Sequence, residues 1–157
     1  MRALTGSLLG MSRQVGDEQP QRSAKWHERR QIIIDTSAAV FARQGYHATG
    51  LAELCTANQL GRGALYHYIG SKEQLLVAIH DRVMDEVIAS ADRAEQAGGT
   101  ASQQLTLLGD ELLDIIARYP DHVWVSLHEF YGLTGERERQ YRTRRQEYEG
   151  RVEAILQ

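Results

Sequence analysis

Residues 41–76 of the chain read FARQGYHATGLAELCTANQLGRGALYHYIGSKEQLL. Within this stretch, residues 51–58 and 62–69 each carry apolar side chains at helical spacing, which predicts two short helices. Residues 59–61 leave room for only a tight turn between the two helices. Two short helices joined by a turn of about three residues form a helix-turn-helix.

A longer helix is predicted in front of this pair, over residues 25–44. Its apolar side chains Ile34, Ala38 and Phe41 recur at positions i, i+4 and i+7, which places them on one face of the helix. Gly45 ends this helix, because glycine readily adopts the left-handed conformation that follows helix C-termini. The sequence therefore predicts a three-helix domain at the N-terminal side of the chain.

The rest of the chain also shows helical periodicity, and no stretch alternates as a strand does. Ser71 and Thr100 each precede a glutamine three residues later, the capping-box pattern that opens a helix. Pro120 suits the first turn of another helix. We predict four further helices, over residues 72–96, 100–119, 121–133 and 134–157. The fold class is therefore all-α, a helix-turn-helix domain followed by a helical core.

Charge and composition divide the chain into three predicted domains. Between residues 22 and 72, seven Lys and Arg side chains stand against three acids, a net charge of +4. From residue 73 onward, nine Arg stand against sixteen acids, a net charge of −7. A basic module joined to an acidic one is typical of a DNA-binding domain attached to a sensing domain, although chance variation of solvated faces gives the same pattern. The domains are a flexible tail (1–24), a helix-turn-helix domain (25–72) and an effector-binding and dimerisation core (73–157).

Composition also argues against several classes of function. The single cysteine, Cys55, permits neither an internal disulfide nor a thiolate metal cluster. No apolar run approaches the roughly 20 residues that cross a bilayer. His128 and Glu129 begin like a zinc-protease motif, but Gly132 occupies the position of the second histidine. We therefore expect a cytoplasmic protein that is not an enzyme and uses no metal, cofactor or membrane.

The stretch from Phe41 to Leu76 resembles the DNA-binding domain of the TetR family of transcription regulators. That family reads Phe-Ala-x-x-Gly-Tyr, then Gly-Val-Ser-x-Gly-Thr-Leu-Tyr-Tyr-His-Phe, then Ser-Lys-Glu-x-Leu-Leu, and residues 29–76 follow it without a gap. The resemblance implies a ligand-responsive repressor that binds a palindromic double-stranded DNA operator as a homodimer. The alternative is a helical module that binds a small molecule or a protein and has lost DNA binding.

Several residues of the motif have side chains suited to DNA. Gly63 lets the backbone approach base edges, and Arg62 suits the O6 and N7 acceptors of guanine. Tyr66, His67 and Lys72 carry donors for phosphate oxygens. We assign DNA contact to Lys25, Thr49, Gly50, Leu51, Gly61, Arg62, Gly63, Ala64, Tyr66, His67, Tyr68 and Lys72. Lys25 has the alternative of being only the solvated start of its helix.

Four positions of the motif depart from the family pattern. His67 and Tyr68 reverse the family's order of tyrosine and histidine, which predicts a different contact geometry. Gly61 replaces a serine that caps the third helix and contacts phosphate in the family. Ala64 replaces threonine and offers a methyl group that suits the thymine C5 methyl. These changes bear on which operator is bound.

The second half of the chain resembles family members that respond to acyl-CoA thioesters, on the run from Tyr119 to Glu136. A small apolar or acyl-CoA effector is expected among the later helices, although core packing explains the same residues. The expected ligand contacts are Ile79, Val83, Leu108, Leu112, Val123, Leu127 and Phe130. The arginines of residues 137–145 suit the phosphates of coenzyme A or a partner subunit, or pair with neighbouring glutamates on an exposed helix face.

Family members carry two further long helices that form the dimer interface. The sequence stops at Gln157, within or just after the seventh predicted helix. The expectation is therefore either a fragment that lacks these helices or a protein that dimerises through another surface.

Overall fold

The computed structural model describes the backbone of residues 18–157 and the side chains of residues 23–157. Within that range the chain is helical throughout, without a strand, which confirms the all-α prediction. No helix of this range is long and apolar enough to cross a membrane. The helices are α1 Glu18–Gln44, α2 Leu51–Asn58, α3 Arg62–Ile69, α4 Lys72–Ala97, α5 Ala101–Arg118, α6 Pro120–His128 and α7 Gly135–Leu156, with a 3-10 helix at Phe130–Gly132 between the last two.

Helix α1 begins at Glu18, earlier than the predicted start at Lys25, so the predicted tail is wrong for residues 18–24. Pro20 lies in the first turn, where its missing N–H breaks no helical hydrogen bond. The polar residues that follow give no apolar period, although they are compatible with a helix. The rest of the predicted tail, residues 1–17, lies outside the described residues.

Helix α6 ends at His128, five residues before its predicted end at Leu133. The chain turns at Glu129, which has φ −108° and ψ 22°, and continues as the 3-10 helix. This turn packs the backbone of Gly132 against Leu76, where a Cβ atom would lie 2.7 Å from a leucine methyl. Tertiary packing therefore ends α6, and the helical period of the sequence does not report it.

One apolar core joins the helix-turn-helix to the rest of the molecule. Phe41 of α1, Leu54 of α2 and Leu65 of α3 are fully buried in it. Leu76 of α4 and Val125 of α6 belong to the same cluster. Burying each such side chain contributes about 1.5–3 kcal/mol. The first three helices therefore do not form a loosely tethered unit, because α4 and α6 complete their core.

Helices α5 and α7 pack against α4 outside the main core, through a smaller apolar cluster and ion pairs. Val83 and Val87 of α4 pack against Ile115 of α5 in a smaller apolar cluster. Helix α7 has no fully buried residue and lies along α4 through ion pairs. Arg144 bonds Asp81 at 3.0 Å, and Arg151 bonds aspartate and glutamate side chains of α4. Exposed pairs of this kind contribute little each. Half-buried apolar side chains of α7 therefore hold it too: Tyr141 packs against the main core, and Tyr148 packs against both smaller clusters.

Candidate nucleic-acid interface

Helix α3 presents one open face. Leu65 is fully buried and Ile69 is 3% exposed, and their four-residue spacing fixes the inner face of the helix. Arg62, Gly63 and Ala64, in the first turn of the helix, are exposed. A Cβ atom added at Gly63 would meet nothing within 4 Å. These three positions therefore face solvent, as the sequence analysis expected.

The turn before α3 leaves the start of that helix without a side-chain cap. Gln59 adopts the left-handed conformation with φ 54°, and the N–H of Leu60 bonds the carbonyl of Cys55 at 3.0 Å. Gly61 is the N-cap residue and supplies no side-chain acceptor. The first N–H groups of α3 thus keep their capacity to donate to an anion.

The predicted contacts at the start of α2 do not all reach the surface. The Thr49 side chain is 1% exposed, and its hydroxyl donates to the Gly45 carbonyl at 2.8 Å. Leu51 is half-buried against the apolar core. The N–H of Gly50 donates to the Glu53 carboxylate at 2.6 Å. The prediction of DNA contact is therefore wrong for the Thr49 hydroxyl, because the tight turn directs it inward, and the Gly50 N–H is already bonded.

Three aromatic rings meet behind the exposed face of α3. Trp26 of α1 stacks on Tyr68, with ring centroids 5.8 Å apart and planes at 28°. The indole Nε1–H of Trp26 donates to Nε2 of His67 at 3.2 Å. Arg30 donates to the Tyr68 carbonyl at 3.2 Å, one turn along α1. Helix α1 therefore orients two of the predicted phosphate-binding side chains.

Trp26 is the residue that sequence reasoning missed. The contact partners lie 41 residues apart in the chain, so no local pattern reports them. The signal in the sequence was an unexplained tryptophan four residues before Arg30, on a helix that is otherwise polar there. Arg29 and Arg30 both donate to backbone carbonyls of the helix-turn-helix. Lys25 is exposed.

Tyr66 and Lys72 both lie partly buried. The Arg62 guanidinium carbon is 5.8 Å from the centroid of the Tyr66 ring, a cation–π distance. The Lys72 ammonium lies 4.4 Å from the centroid of the Tyr46 ring. Burial lowers the pKa of Lys72, and the nearby Glu53 carboxylate opposes that change. Lys72 is therefore held at the N-terminus of α4, with a carboxylate close to it.

The seven predicted ligand contacts do not form one site. Ile79, Val83 and Leu108 are buried in three separate apolar clusters. Leu112 is 41% exposed and Leu127 is 72% exposed. Val123 and Phe130 are half-buried and pack against different clusters. These residues therefore do not line one pocket in this structure, and their contact with an effector stays a prediction.

A cavity of about 520 Å³ lies instead between α4 and α7, and none of the seven residues lines it. His80 and Asp81 line the α4 side. Arg137, Gln140 and Tyr141 line the α7 side. The aromatic rings of His80 and Tyr141 meet edge to face, with centroids 5.0 Å apart. The cavity wall is therefore largely apolar surface with charged and polar groups at its edges.

No group of three His, Cys, Asp or Glu side chains in the described part of the chain has the arrangement of a metal site. The site instead consists of an exposed helix in a helix-turn-helix, backed by a basic α1 and joined to an all-helical core. That combination defines the helix-turn-helix class of transcription regulators.

Two family models match the chain. Residues 33–79 match the model described as "Bacterial regulatory proteins, tetR family". Residues 98–157 match "Tetracyclin repressor-like, C-terminal domain". The chain belongs to the TetR family, as its sequence motif indicated.

Curated relatives and solved structures agree with this assignment. The transcriptional repressor KstR of Mycolicibacterium smegmatis is 34% identical over 93 residues, which cover 59% of this chain and 46% of KstR. The transcriptional activator FasR of the same species is 25% identical over 114 residues, which cover 73% of this chain and 52% of FasR. The chain thus spans about half the length of these relatives. Both of these relatives are transcription regulators.

Among solved structures, AibR in complex with isovaleryl coenzyme A and operator DNA has a TM-score of 0.72 at 29% identity. The match covers 81% of this chain and 69% of AibR. PfmR from Thermus thermophilus has a TM-score of 0.75 at 25% identity, over 79% of this chain and 68% of PfmR. The similarity therefore extends over the helix-turn-helix and most of the helical core.

Proposed function

We propose that the protein is a DNA-binding transcription regulator whose helix α3 enters the major groove. The observation that carries this proposal is the first turn of α3, where Arg62, Gly63 and Ala64 are exposed while Leu65 and Ile69 are buried and anchor the helix. Arginine at a helix start suits guanine, and the small neighbours permit close approach. The aromatic cluster behind α3 holds the phosphate-binding side chains in place.

The test is a titration of the protein against the DNA upstream of its own gene, at a series of salt concentrations. Log affinity should fall linearly with log salt, because bound phosphates release counterions. The double variant Tyr66→Ala with Lys72→Ala should bind less tightly at every salt concentration. The slope should be reduced by about 1, because only the Lys72 contact carries a positive charge. Arg139→Ala, on the exposed surface of α7, is the matched control and should bind as wild type does. A double variant that bound as tightly as wild type would remove this assignment.

We propose further that two copies bind a palindromic operator. One helix-turn-helix makes few base contacts, so a stable complex needs two recognition helices about 34–36 Å apart. Inserting five base pairs between half-sites should abolish tight binding, whereas inserting ten should restore much of it. Binding of one copy per site, without sensitivity to the spacing, would exclude the dimer.

We propose that a small effector controls DNA binding, in a repressor that releases its operator on binding the effector. A coenzyme A thioester is the candidate, because AibR binds isovaleryl coenzyme A and the run from Tyr119 to Glu136 resembles acyl-CoA-responsive regulators. Isovaleryl coenzyme A should raise the thermal unfolding midpoint of the protein and weaken its DNA binding. Unchanged unfolding and DNA affinity at millimolar thioester would exclude this effector class.

The second candidate is a helical binding module that no longer contacts DNA. The inward-turned hydroxyl of Thr49 and the uncapped start of α3 at Gly61 favour it, because both positions lack a side-chain phosphate contact. This candidate predicts no salt-dependent binding to any DNA at low ionic strength. The titration above therefore separates the two functions.

A further inference from the structure

The turn after α6 packs against the turn between α1 and α2. A Cβ atom added at Gly132 would lie 2.9 Å from a ring carbon of Tyr46. A Cβ atom added at Gly45 would lie 3.3 Å from the carboxylate oxygen Oε1 of Glu129. The Lys72 ammonium lies 4.4 Å from the centroid of the same Tyr46 ring. The side chains of Glu129 and Lys72 therefore converge on the turn between α1 and α2.

Glu129 lies where an acidic side chain is unfavourable for its own helix. It is the C-cap residue of α6, and the C-terminal end of a helix carries a partial negative charge. Its backbone N–H donates to the Val125 carbonyl at 2.8 Å, and its carbonyl accepts from the Gly132 N–H at 3.0 Å. Its carboxylate, by contrast, has no hydrogen bond or ion pair with any residue of the range 23–157. The charge of Glu129 therefore stabilises neither the end of α6 nor a direct side-chain contact.

Lys72 is the cation on which this charge acts. Burial lowers the pKa of Lys72, and the charges of Glu53 and Glu129 oppose that change. The Glu53 carboxylate also accepts from the Gly50 N–H at 2.6 Å, as part of the cap of α2. Glu129 has no such local role. Lys72 forms no ion pair within 4 Å with a carboxylate of the described residues, so its ammonium keeps donors for a phosphate oxygen.

We propose that Glu129 is a counter-charge that limits the affinity of Lys72 for a DNA phosphate. A phosphate that approaches Lys72 also approaches the Glu129 carboxylate, and like charges repel. Glu129 acts on DNA only through Lys72 and does not itself contact the duplex. The proposal rests on the DNA-binding function, and it adds a residue outside the helix-turn-helix that determines how tightly DNA is held.

The first experiment compares DNA affinities by fluorescence anisotropy, with the DNA upstream of the gene as the probe. Glu129→Gln keeps the size of the side chain and removes its charge, so it should bind about two- to fivefold more tightly at low salt, the range of exposed charge pairs. The gain should shrink at about 0.5 M salt, which screens exposed charges. Glu129→Asp keeps the charge and should bind within about twofold of wild type. Glu153→Gln, exposed near the end of α7, changes the net charge equally and should bind as wild type does.

A double-mutant cycle tests whether Glu129 acts through Lys72. In the Lys72→Gln background, Glu129→Gln should no longer change the affinity for DNA. A gain that persisted without Lys72 would show a general effect of charge and would overturn the proposal. The thermal unfolding midpoint of Glu129→Gln should be unchanged or higher, because an acid at a helix C-terminus is removed. A purely structural role of Glu129 would instead lower that midpoint together with the affinity.

A measurement without DNA tests the charge pair itself. The chain has two lysines, Lys25 and Lys72, so an NMR titration of isotope-labelled lysine side chains resolves both. Glu129→Gln should lower the pKa of Lys72, because a negative charge that favours the ammonium is lost. The signal of Lys25 is the internal reference. An unchanged pKa of Lys72 would overturn the proposal, whatever the DNA titration gives.

The outcomes distinguish this proposal from the regulator function. If wild type and Glu129→Gln bind DNA equally tightly and with the usual salt dependence, the counter-charge is excluded and the regulator function stands. If no form of the chain binds DNA, the regulator function fails and the counter-charge fails with it.

Discussion

Trp26 and Gly61 both determine how helix α3 presents its hydrogen-bond donors. Trp26 orients His67 through the indole N–H and supports Tyr68 through stacking. Because the indole N–H only donates, the bonded Nε2 of His67 accepts, and Nδ1 of a neutral ring keeps the proton for a phosphate oxygen. Gly61 leaves the first N–H groups of α3 open. The sequence predicted the glycine, because turn residues act locally, and missed the tryptophan, because its partners lie far along the chain.

Trp26→Phe separates the two contacts of the indole. Phenylalanine stacks on Tyr68 but donates no hydrogen bond to His67, so DNA affinity should fall about three- to tenfold, the loss of one hydrogen bond. Fluorescence anisotropy against operator DNA measures this change, and the thermal unfolding midpoint should move little. Trp124→Phe is the matched control, since Trp124 stacks on His128 on α6, and it should bind DNA as wild type does. Equal affinities for the two variants would contradict the positioning role.

Some helix boundaries are determined by local turn residues, and others are determined by packing between helices. The bounds of α2 and α3 agree with the sequence prediction, because turn residues flank both helices: Gly50 and Gln59 cap α2, and Gly61 and Gly70 cap α3. The end of α6 does not agree, because the close packing of Gly132 against Leu76 ends it. The same packing explains the dispersed ligand residues, since Leu127 faces outward in the shortened helix. Contacts between distant helices are the part of this fold that periodicity does not report.

Gly132→Ala tests that packing. The added methyl group would lie 2.7 Å from Leu76 and 2.9 Å from the Tyr46 ring, so the turn after α6 must shift. We expect the free energy of unfolding to fall by about 1–3 kcal/mol, as for overpacked cores. Gly109→Ala is the control, because nothing lies within 4 Å of its added Cβ in α5, and it should stabilise by about 0.5–1 kcal/mol. Urea denaturation measures the free energy of unfolding of both variants. If Gly132→Ala left that free energy unchanged, the turn after α6 would not be restrained by this packing.

For the whole molecule, two buried histidines link stability to pH. His80 is 1% exposed and His122 is 3% exposed, and burial lowers the pKa of each. Nε2 of His122 lies 3.2 Å from Asp35, outside hydrogen-bond geometry, and that carboxylate offsets only part of the burial effect. Since α4 and α6 complete the core of the helix-turn-helix, charging either ring acts on the entire fold.

The sign of the pH dependence follows from these lowered pKa values. The unfolded chain binds protons near pH 6.5 while the folded chain resists them, so stability is present above that pH and is lost as pH falls. Between pH 7.5 and 5.5, each histidine should contribute a slope of at most about 1.4 kcal/mol per pH unit. His80→Phe should flatten the slope measured by urea denaturation, whereas His47→Gln, at an exposed position, should leave it unchanged. A wild-type stability that rose on acidification would contradict the neutral, buried state of both rings.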